Sequence, residues 1–490
     1  MPDLVKRRPA LIAFLFVGLM AAWRLAVLAA DAPFLSFDEA QYWAWAQSLE
    51  LGYYSKPPMV AWVIAATTAA CGDGPGCVKA GSAIAHAGTA VVLYFLGRHL
   101  FGPRIGAWAA MTWSVVPAVS LSAVMITTDP FLLFFWALAL LFLARAADAG
   151  PRPNRWWVLL GLAFGLGMLS KYAMILFAAS AAIWLAWSPE RRTLAKAPGP
   201  WLAMAIGLAV YAPNALWNAA NGFVSYAHTK DNANLGGELF HFDKLAEFVG
   251  GQFGVFGPIA MAALVAALVA AIRRPEDDRE RMLAAFTLPV LALMTVESFL
   301  SRANANWTAP AFVAGSVLVA AFLARRAPRL LAASLALHVA AAGLLYNLDA
   351  ARAALGVAET ARFDPLKRVR GWQEVGERVS AILAAHPGAR LLADERKVMA
   401  TLIYAVRPHP FDAVKWNPEG DVRDHYDQTT RLEPGEKLLI LVTEQESLPP
   451  GMAAAFARTE KIEDIVVPIH RDYRRRVAVW RLEEFKGYAP

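Results

Sequence analysis

Residues 36–58 read SFDEAQYWAWAQSLELGYYSKPP. The stretch holds an adjacent acidic pair, Asp38 and Glu39, a run of aromatic side chains, and a Lys-Pro-Pro sequence at its end. Ser36 and Glu39 have the S-x-x-E spacing of a capping box, which predicts that a helix begins here. Aromatic side chains in this number favour the interface between membrane and water. The stretch is therefore predicted to form a helix along a membrane surface.

The rest of the chain has the composition of a membrane protein. Its 490 residues are 57% hydrophobic and 18% charged, with a mean hydropathy of +0.39. The apolar residues fall in runs long enough to cross about 30 Å of hydrocarbon as helices. We predict about eleven transmembrane helices, at residues 10–30, 80–98, 105–121, 130–147, 155–169, 172–188, 200–217, 248–272, 282–300, 307–324 and 330–347.

The predicted loops are alternately rich and poor in lysine and arginine. Lys6, Arg7 and Arg8 precede the first run, and every second loop after it is again basic. The positive-inside rule then predicts a cytoplasmic N-terminus and an exported first loop at 31–79. We interpret the first run as an uncleaved anchor rather than a signal peptide, because it is interrupted by Arg24 and is long enough to span. The net charge of +7 is explained by this topology, so no nucleic-acid partner is indicated.

The composition changes after the last apolar run. Charges become frequent, apolar runs shorten to strand length, as at 390–393 and 437–442, and helical periodicity appears at 372–383. The predicted fold is thus a mainly α membrane protein. A polytopic helical bundle occupies 1–347, and an exported C-terminal α/β domain occupies 348–490.

The two cysteines of the chain, Cys71 and Cys77, enclose the short sequence GDGPG. The glycines and the proline predict a tight loop, and the topology places this loop on the exported side, where disulfides persist. We predict a disulfide between them, with two free thiols as the alternative.

Ionisable side chains gather in the exported loops rather than in the predicted spans. The exported loops carry Asp38, Glu39, Lys56, Asp129, Lys171, His228, His241 and Arg302. In the spans only Arg24, Glu297 and His338 stand out, and Arg24 is expected to snorkel towards the outer surface. Ion pathways string charged residues through the membrane. Their scarcity here disfavours a proton-coupled transporter and favours chemistry at the outer interface.

Carboxylates beside cations suit a transfer reaction in which the donor releases an anionic leaving group. A carboxylate takes the proton of an acceptor hydroxyl, while lysine or arginine holds a phosphate. A sugar carried on a polyprenyl phosphate can be reached from the exported side. Structural alternatives stay open at this point. Glu39 can serve only the capping box, Asp129 before Pro130 can be a helix N-cap, and His228 and His241 can be ordinary loop histidines.

The motifs DEAQY at 38–42 and YYSKPP at 53–58 resemble those of the bacterial relatives of the protein O-mannosyltransferases. Further matches are TDP at 128–130, WNAANGF at 217–223 and ANWTAPA at 305–311. This group includes the aminoarabinose and galacturonic acid transferases of lipid A and of the lipopolysaccharide core. The resemblance implies a GT-C fold in the bacterial inner membrane. It also implies inverting transfer from a polyprenyl-phosphate sugar to a periplasmic glycolipid acceptor, such as lipid A or lipopolysaccharide core.

The resemblance also implies roles for single residues. Asp38 matches the catalytic acidic position, with Glu39 beside it. Lys56 matches the lysine near the donor phosphate, and Lys171 and Arg302 are expected to assist it. The residues expected to shape the substrate groove are Tyr42, Tyr53, Tyr54, Asp129 and Asn306.

One position departs from the aminoarabinose transferases. The residue before Lys-Pro-Pro is there a glutamate implicated in metal binding, and here it is Ser55. Whether a divalent metal ion binds is left open, with Glu39, His228 and His241 as candidates. The form YSKPP is closer to that of the galacturonic acid transferases. Four other functions are kept as alternatives: a transporter or flippase for a lipid-linked sugar, a transferase acting on protein hydroxyls, an oligosaccharide polymerase or ligase, and a non-catalytic scaffold.

Overall fold

The structure is a computed structural model that describes residues 7–231, 239–273 and 277–488. Its internal contacts divide the chain into two compact units. The first, here called the helical unit, comprises Met1–Ala30, Lys56–Val63 and Lys79–Leu348. The second, here called the mixed unit, comprises Asp31–Ser55, Ile64–Val78 and Asp349–Pro490.

The described chain begins with a long series of helices. In chain order they are α1 (Pro9–Asp31), α2 (Phe37–Ala46), α3 (Met59–Cys71), α4 (Pro75–Phe101), α5 (Pro103–Val115), α6 (Pro117–Ser122), α7 (Asp129–Ala149), α8 (Arg155–Ser170), α9 (Ile175–Trp187), α10 (Pro198–Ala220), α11 (Val224–Asp231), α12 (Phe242–Val255), α13 (Pro258–Arg273), α14 (Asp278–Ala285), α15 (Leu288–Leu300), α16 (Ala309–Arg326), α17 (Pro328–Tyr346) and α18 (Leu348–Leu355). Short 3-10 helices lie at Tyr172–Met174, Pro189–Lys196 and Ala305–Thr308.

Seven stretches of the described chain are helical, long and apolar enough to cross a membrane. They are α1, α4, α7, α10, α14 with α15, the stretch Ala305–Arg326, and α17. Helices α12 and α13 meet at an angle of 107° and would form an eighth, broken span. Helices cover all eleven predicted apolar runs, so the helical class is confirmed. The number of crossings stays a prediction, because α8 and α9 are shorter than the roughly 20 residues that a span needs.

Small residues let the helices of the helical unit approach closely. A Cβ added to Gly106 of α5 would lie 2.3 Å from the carbonyl oxygen of Tyr94 in α4, and one added to Gly161 of α8 would lie 2.5 Å from that of Ala203 in α10. Helices in a membrane associate mainly through such van der Waals packing, since lipid supplies no hydrophobic drive. These glycines therefore fix the two helix pairs.

Arg24 does not snorkel, contrary to the sequence prediction. Its side chain is 1% exposed, and its guanidinium donates hydrogen bonds to the carbonyl oxygen of Ser114 (2.5 Å), to Ser120 Oγ (3.3 Å) and to the hydroxyl of Tyr346 (3.0 Å). Helix α5 ends at this point because the next helix begins with Pro117, so the Ser114 carbonyl belongs to the orphan acceptors of a helix end. The hydrogen bonds that Arg24 donates to Ser114 and Ser120 at this break hold its side chain inside the bundle.

We expect Arg24→Met to lower the free energy of unfolding by on the order of 2 kcal/mol, because it leaves buried acceptors without a donor. The measurement is the thermal unfolding midpoint of the purified protein in detergent. Arg329→Ala, at an exposed position on α17, is the matched control and should leave the midpoint unchanged. Equal midpoints for Arg24→Met and wild type would contradict a structural role for the buried guanidinium.

The mixed unit contains a five-stranded sheet. Its strands are β1 (Arg390–Ala393), β2 (Val414–Lys415), β3 (Leu438–Thr443), β4 (Phe456–His470) and β5 (Tyr473–Phe485). Its further helices are α19 (Trp372–Ala385), α20 (Arg396–Ala405), α21 (His425–Thr429) and α22 (Met452–Ala455). The sheet and its flanking helices confirm the predicted α/β character of the C-terminal region. The predicted domain boundary between residues 347 and 348 stays a prediction.

The strand order is β2-β1-β3-β5-β4, with β1 parallel to β2 and β3, and β5 antiparallel to β3 and β4. The chain leaves β1 through α20 and reaches β2 on one side, and β3 then joins the other side of β1. The order of the strands therefore reverses between β1 and β3. In open α/β sheets, ligands bind at the carboxyl ends of the strands beside such a reversal.

Helix α2 packs within the mixed unit and does not present its aromatic side chains to lipid. Trp43 and Trp45 are 0% and 2% exposed. The Trp43 ring lies 5.0 Å from that of Tyr404 in α20, and its Nε1 donates to Asp73 Oδ1 (3.1 Å). Protein side chains therefore cover these aromatics, and the position of α2 along a membrane surface stays a prediction.

Candidate active site

The predicted capping box begins α2. Ser36 Oγ accepts a hydrogen bond from the Glu39 backbone N–H (3.4 Å), and Glu39 Oε2 accepts one from the Ser36 N–H (2.8 Å). Glu39 is 3% exposed, whereas the Asp38 side chain is 48% exposed. The box therefore separates the acidic pair. Glu39 supports the helix start from inside, and Asp38 faces outwards.

Asp38 forms an ion pair that the sequence analysis missed. Nη1 and Nη2 of Arg396 donate to Asp38 Oδ1 at 3.0 and 3.1 Å, and Nη1 also donates to Gln41 Oε1 at 2.9 Å. Arg396 is the first residue of α20, directly after β1. Its position in a helix that follows a strand is visible in the sequence. Its contact with a residue 358 positions earlier in the chain is not.

The guanidinium of Arg396 rests on an aromatic ring. Its Cζ lies 4.8 Å from the ring centre of Phe37, a cation–π distance. Lys397 Nζ lies 6.0 Å from the same ring. Phe37 and Gln41 thus hold the cation from two sides, and the carboxylate of Asp38 holds it from a third.

His425 is a buried histidine of the mixed unit that packs against Trp45 of α2. Its ring lies edge-on to Trp45 at 5.5 Å, and Trp45 stacks on Tyr53 at 4.6 Å. Burial, together with the positive charge of Arg396, lowers the pKa of His425 to about 4, although Asp424 acts in the opposite direction. The ring is therefore neutral near pH 7 and adds no charge beside the Asp38–Arg396 pair.

The predicted groove tyrosines differ in exposure. Tyr42 and Tyr53 are buried, and Tyr54 is half-buried. The Tyr53 hydroxyl lies 3.0 Å from the carbonyl oxygen of Trp45 and 3.1 Å from the carbonyl oxygen of Ser48. Burial raises the pKa of Tyr53 to about 12. Tyr53 therefore braces the loop after α2. The role of these tyrosines towards a substrate stays a prediction.

A second cluster lies in the helical unit. Lys171 Nζ donates to Asp129 Oδ1 at 2.6 Å, and Asn306 Nδ2 donates to Asp129 Oδ2 at 3.2 Å. Asp129 is not the N-cap of α7, as one alternative proposed. The N-cap is Thr128, and the Asp129 side chain is instead held by residues that follow α8 and precede α16. Three segments that are far apart in the chain thus meet at one carboxylate.

A cavity of about 830 Å³ adjoins this cluster within the helical unit. Its polar lining includes Asp129, Asn304 and Asn306, and most of the remaining lining is apolar, with Trp113 and Phe312 among the largest side chains. The arrangement combines a mostly apolar lining with a few polar side chains. It suits an amphipathic ligand that carries a polar head.

The other predicted cations lie at the ends of helices in the helical unit. Lys56 is half-buried and precedes α3, and Arg302 is exposed in the segment before the 3-10 helix at Ala305–Thr308. The proposed roles of both residues towards a phosphate stay predictions.

The metal candidates do not come together. In the residues that the structure describes, no three or more His, Cys, Asp or Glu side chains form a group able to hold a metal ion. Glu39 serves the capping box, His228 lies in α11, and His241 precedes α12. Ser55, at the position of the relatives' glutamate, is buried. The residues present do not fit the expected metal site, so no step of the reaction is routed through a metal.

Cys71 and Cys77 are joined by a disulfide. The loop that they close carries Asp73, which accepts hydrogen bonds from Trp43 Nε1 through its carboxylate and from the Tyr404 hydroxyl through its carbonyl oxygen (2.8 Å). The loop thereby connects α2 and α20 within the mixed unit.

Comparison with known proteins defines the class. A family model described as dolichyl-phosphate-mannose-protein mannosyltransferase matches residues 55–217. Over nearly its whole length the fold resembles the crystal structure of ArnT from Cupriavidus metallidurans, with a TM-score of 0.61, 16% identity, and 95% and 97% of the two chains covered. This similarity shows that the fold is the GT-C fold of membrane glycosyltransferases.

The sequence comparison is more specific. The chain is 34% identical to the lipid A galacturonosyltransferase RgtD of Rhizobium johnstonii over 415 residues, which covers 84% of this chain and 86% of that protein. It is 33% identical over 132 residues to the undecaprenyl phosphate-aminoarabinose arabinosyl transferase of Pseudomonas aeruginosa. The chain belongs to this GT-C family of bacterial relatives of the protein mannosyltransferases, and it is a multi-pass membrane glycosyltransferase.

The low pKa of His425 predicts a pH-dependent stability. In the unfolded chain the ring takes up a proton below its ordinary pKa of 6.5, whereas in the folded protein it does so only near 4. The stabilisation is therefore complete above about pH 6.5 and is lost as the pH falls towards 4. We expect the thermal midpoint to fall between pH 7 and pH 5, and the fall to be smaller in His425→Phe.

The matched control for this experiment is His386→Gln, a second histidine of the mixed unit, which should keep the wild-type difference between the two pH values. An unchanged pH dependence in His425→Phe would show that His425 is not the responsible group.

Proposed function

We propose that this enzyme transfers a sugar from a polyprenyl-phosphate donor to lipid A or lipopolysaccharide core on the periplasmic side of the bacterial inner membrane. The observation that carries the proposal is the cavity of the helical unit, whose mostly apolar lining includes Asp129 and Asn306, with Lys171 bonded to Asp129. An isoprenoid chain needs an apolar groove, and its phosphate needs a nearby cation. The acceptor class is supported by the long match to a lipid A galacturonosyltransferase.

The donor is the first part of the proposal. A solved structure similar in fold is that of ArnT bound to undecaprenyl phosphate. In the present chain, Trp113 and Phe312 offer apolar surface for an isoprenoid chain, and Lys171 is bonded to Asp129 of the cavity lining. We assign Lys171 to the donor phosphate together with Lys56 and Arg302.

The second part is the acceptor. Asp38 is half-exposed on the first turn of α2 and has one oxygen, Oδ2, that takes no part in the bonds to Arg396. We assign this carboxylate as the general base. It takes the proton of the acceptor hydroxyl while the hydroxyl oxygen bonds to the anomeric carbon. The bond from that carbon to the phosphate oxygen breaks, and polyprenyl phosphate leaves with the electron pair, so the anomeric configuration inverts.

The topology is the third part. Basic residues recur in every second loop, which supports a cytoplasmic N-terminus and a periplasmic mixed unit. A lipid-linked donor suits the periplasmic side, because the sugar reaches that side attached to its lipid and is transferred there.

The proposal predicts a change in cell-surface lipid. Deletion of the gene should remove one sugar mass from lipid A or core oligosaccharide, and wild type should restore it. Asp38→Asn should not, because an amide cannot take up the proton. Mass spectrometry of the extracted lipids is the measurement. Glu374→Gln, an exposed carboxylate on α19, is the control and should restore the sugar. Restoration by Asp38→Asn at normal membrane levels would refute the assignment of the base.

A second prediction separates Lys171 from its partner. If Lys171 binds the donor phosphate, Lys171→Ala should raise the donor KM and lower kcat/KM on the order of 100-fold, because a charge contact to phosphate is lost. Asp129→Asn should have a smaller effect, since it keeps the shape of the cluster and leaves Lys171 its full charge. Lys244→Ala, an exposed lysine of α12, is the control. Equal losses in the two cluster variants would instead indicate a purely structural ion pair.

A further inference from the structure

We infer that the connection between α7 and α8 carries a binding site for an anionic phospholipid, formed by Arg145, Arg155 and Trp156. The site takes the phosphate of a membrane lipid whose headgroup has a net negative charge. It lies wholly within the helical unit, and it requires neither the sugar donor nor the acceptor of the proposed reaction.

The first support is the arrangement of two arginines around one indole ring. The guanidinium Cζ atoms of Arg145 and Arg155 lie 4.8 and 4.6 Å from the ring centre of Trp156, within the cation–π range. The ring is stacked against Phe142 at 6.1 Å. Asn154 caps α8 and accepts a hydrogen bond from the Trp156 backbone N–H (2.9 Å). One fixed ring therefore holds two positive charges close together.

The second support is that no carboxylate neutralises these two charges. The segment from Arg145 to Arg155 contains one acidic residue, Asp148. Its Oδ1 accepts a hydrogen bond from Arg191 Nη2 (2.7 Å), and its Oδ2 lies 3.0 Å from His99 Nε2. In the part of the chain that the structure describes, neither Arg145 nor Arg155 forms an ion pair. Like charges repel each other, so this pair of arginines favours a bound anion.

The third support is the set of hydrogen-bond donors that a phosphate would meet. Arg145 is half-buried and Arg155 is exposed, so a ligand can reach both side chains from the surface. Among the described residues, neither guanidinium donates a hydrogen bond, and neither does Trp156 Nε1. Arg155 is also the first residue of α8, where the helix dipole favours an anion over a cation. Guanidinium groups bind phosphate oxygens through paired hydrogen bonds.

The fourth support is the position of the site along a membrane helix. Helix α7 is one of the stretches long and apolar enough to cross a membrane. Arg145 precedes its last residue, Ala149, by four residues, which is roughly 6 Å of helix. Arginine and tryptophan so close to the end of a span lie at the level of the lipid headgroups. The predicted topology places this end of α7 in the cytoplasmic leaflet, where basic pockets between helices bind anionic headgroups.

The fifth support is an apolar surface beside the cations, which favours a lipid over free phosphate. Val158 and Leu162 of α8 are 37% and 39% exposed. They follow Arg155 by three and seven residues and therefore lie on the same face of the helix. A phosphate held at Arg155 thus has a track for acyl chains directly next to it.

The test is a lipid titration of the full-length protein in detergent, followed by native mass spectrometry. Phosphatidylglycerol is the anionic probe, and phosphatidylcholine is the zwitterionic one. We expect wild type to bind the first phosphatidylglycerol more tightly than the first phosphatidylcholine. Arg145→Gln and Arg155→Gln should each weaken phosphatidylglycerol binding on the order of 5-fold and leave phosphatidylcholine binding unchanged, because each removes one cation beside the headgroup.

Arg192→Gln is the matched control, because it removes the same charge at an exposed arginine of another predicted cytoplasmic loop. It should keep the wild-type preference for phosphatidylglycerol. Equal weakening in Arg192→Gln would overturn the inference, since it would indicate a general attraction of basic loops to anionic lipid. Equal affinity of wild type for the two lipids would overturn it as well. If Arg145→Gln does not fold, the exposed position Arg155 decides through Arg155→Gln alone.

Inorganic phosphate is the third probe. If it binds wild type as tightly as phosphatidylglycerol does and displaces the lipid, the site belongs to free phosphate and the inference is overturned. Thermal unfolding gives an independent measurement, because a ligand that binds only the folded protein raises the midpoint. Phosphatidylglycerol should raise the midpoint of wild type more than that of the double variant Arg145→Gln/Arg155→Gln. Equal rises in the two proteins would contradict the site.

Discussion

Hydrocarbon cannot form hydrogen bonds with a peptide group, and this constraint governs the helical unit. Every segment that crosses the membrane must satisfy its backbone internally, and helices do so. Where a helix breaks, a side chain has to supply the missing partner, as Arg24 does for the carbonyl oxygen of Ser114. Other ionisable side chains are scarce in the predicted spans, where Glu297 and His338 stand out. The candidate site residues accordingly lie at helix ends and in the segments between helices, as Asp129 and Lys171 do.

In the mixed unit, the capping box at the start of α2 determines the orientation of the two adjacent carboxylates, Asp38 and Glu39. The capping box turns Glu39 inwards and leaves Asp38 exposed. The first turn of α2 then meets the first turn of α20, where Arg396 receives the Asp38 carboxylate. Backbone hydrogen bonding thus decides which carboxylate is available for chemistry. Side-chain packing decides which cation accompanies it.

Local patterns in the sequence are sufficient to predict much of the secondary structure. The helical segments, the strands near residues 390 and 440, and the capping box depend on hydropathy, periodicity and spacing, which are properties of neighbouring residues. The errors came from contacts between distant segments. The sequence predicts Arg24 at the outer surface, whereas the structure buries it, and it also buries Trp43 and Trp45 of α2, because an isolated segment gives no indication of what will cover it. Asp129 was considered as a cap for the same reason, since Lys171 and Asn306 come from other loops.

By itself, the sequence determined the class of protein, the positions of its helices, and the motif residues through which it resembles its family. These features depend on the free energy of transferring apolar segments into lipid and on local hydrogen bonds, both of which are written in consecutive residues. Only the tertiary structure decided which side chains surround Asp38 and Asp129. Arg396 contacts Asp38 because α20 packs against α2, and such a contact depends on packing between segments that are far apart in the chain.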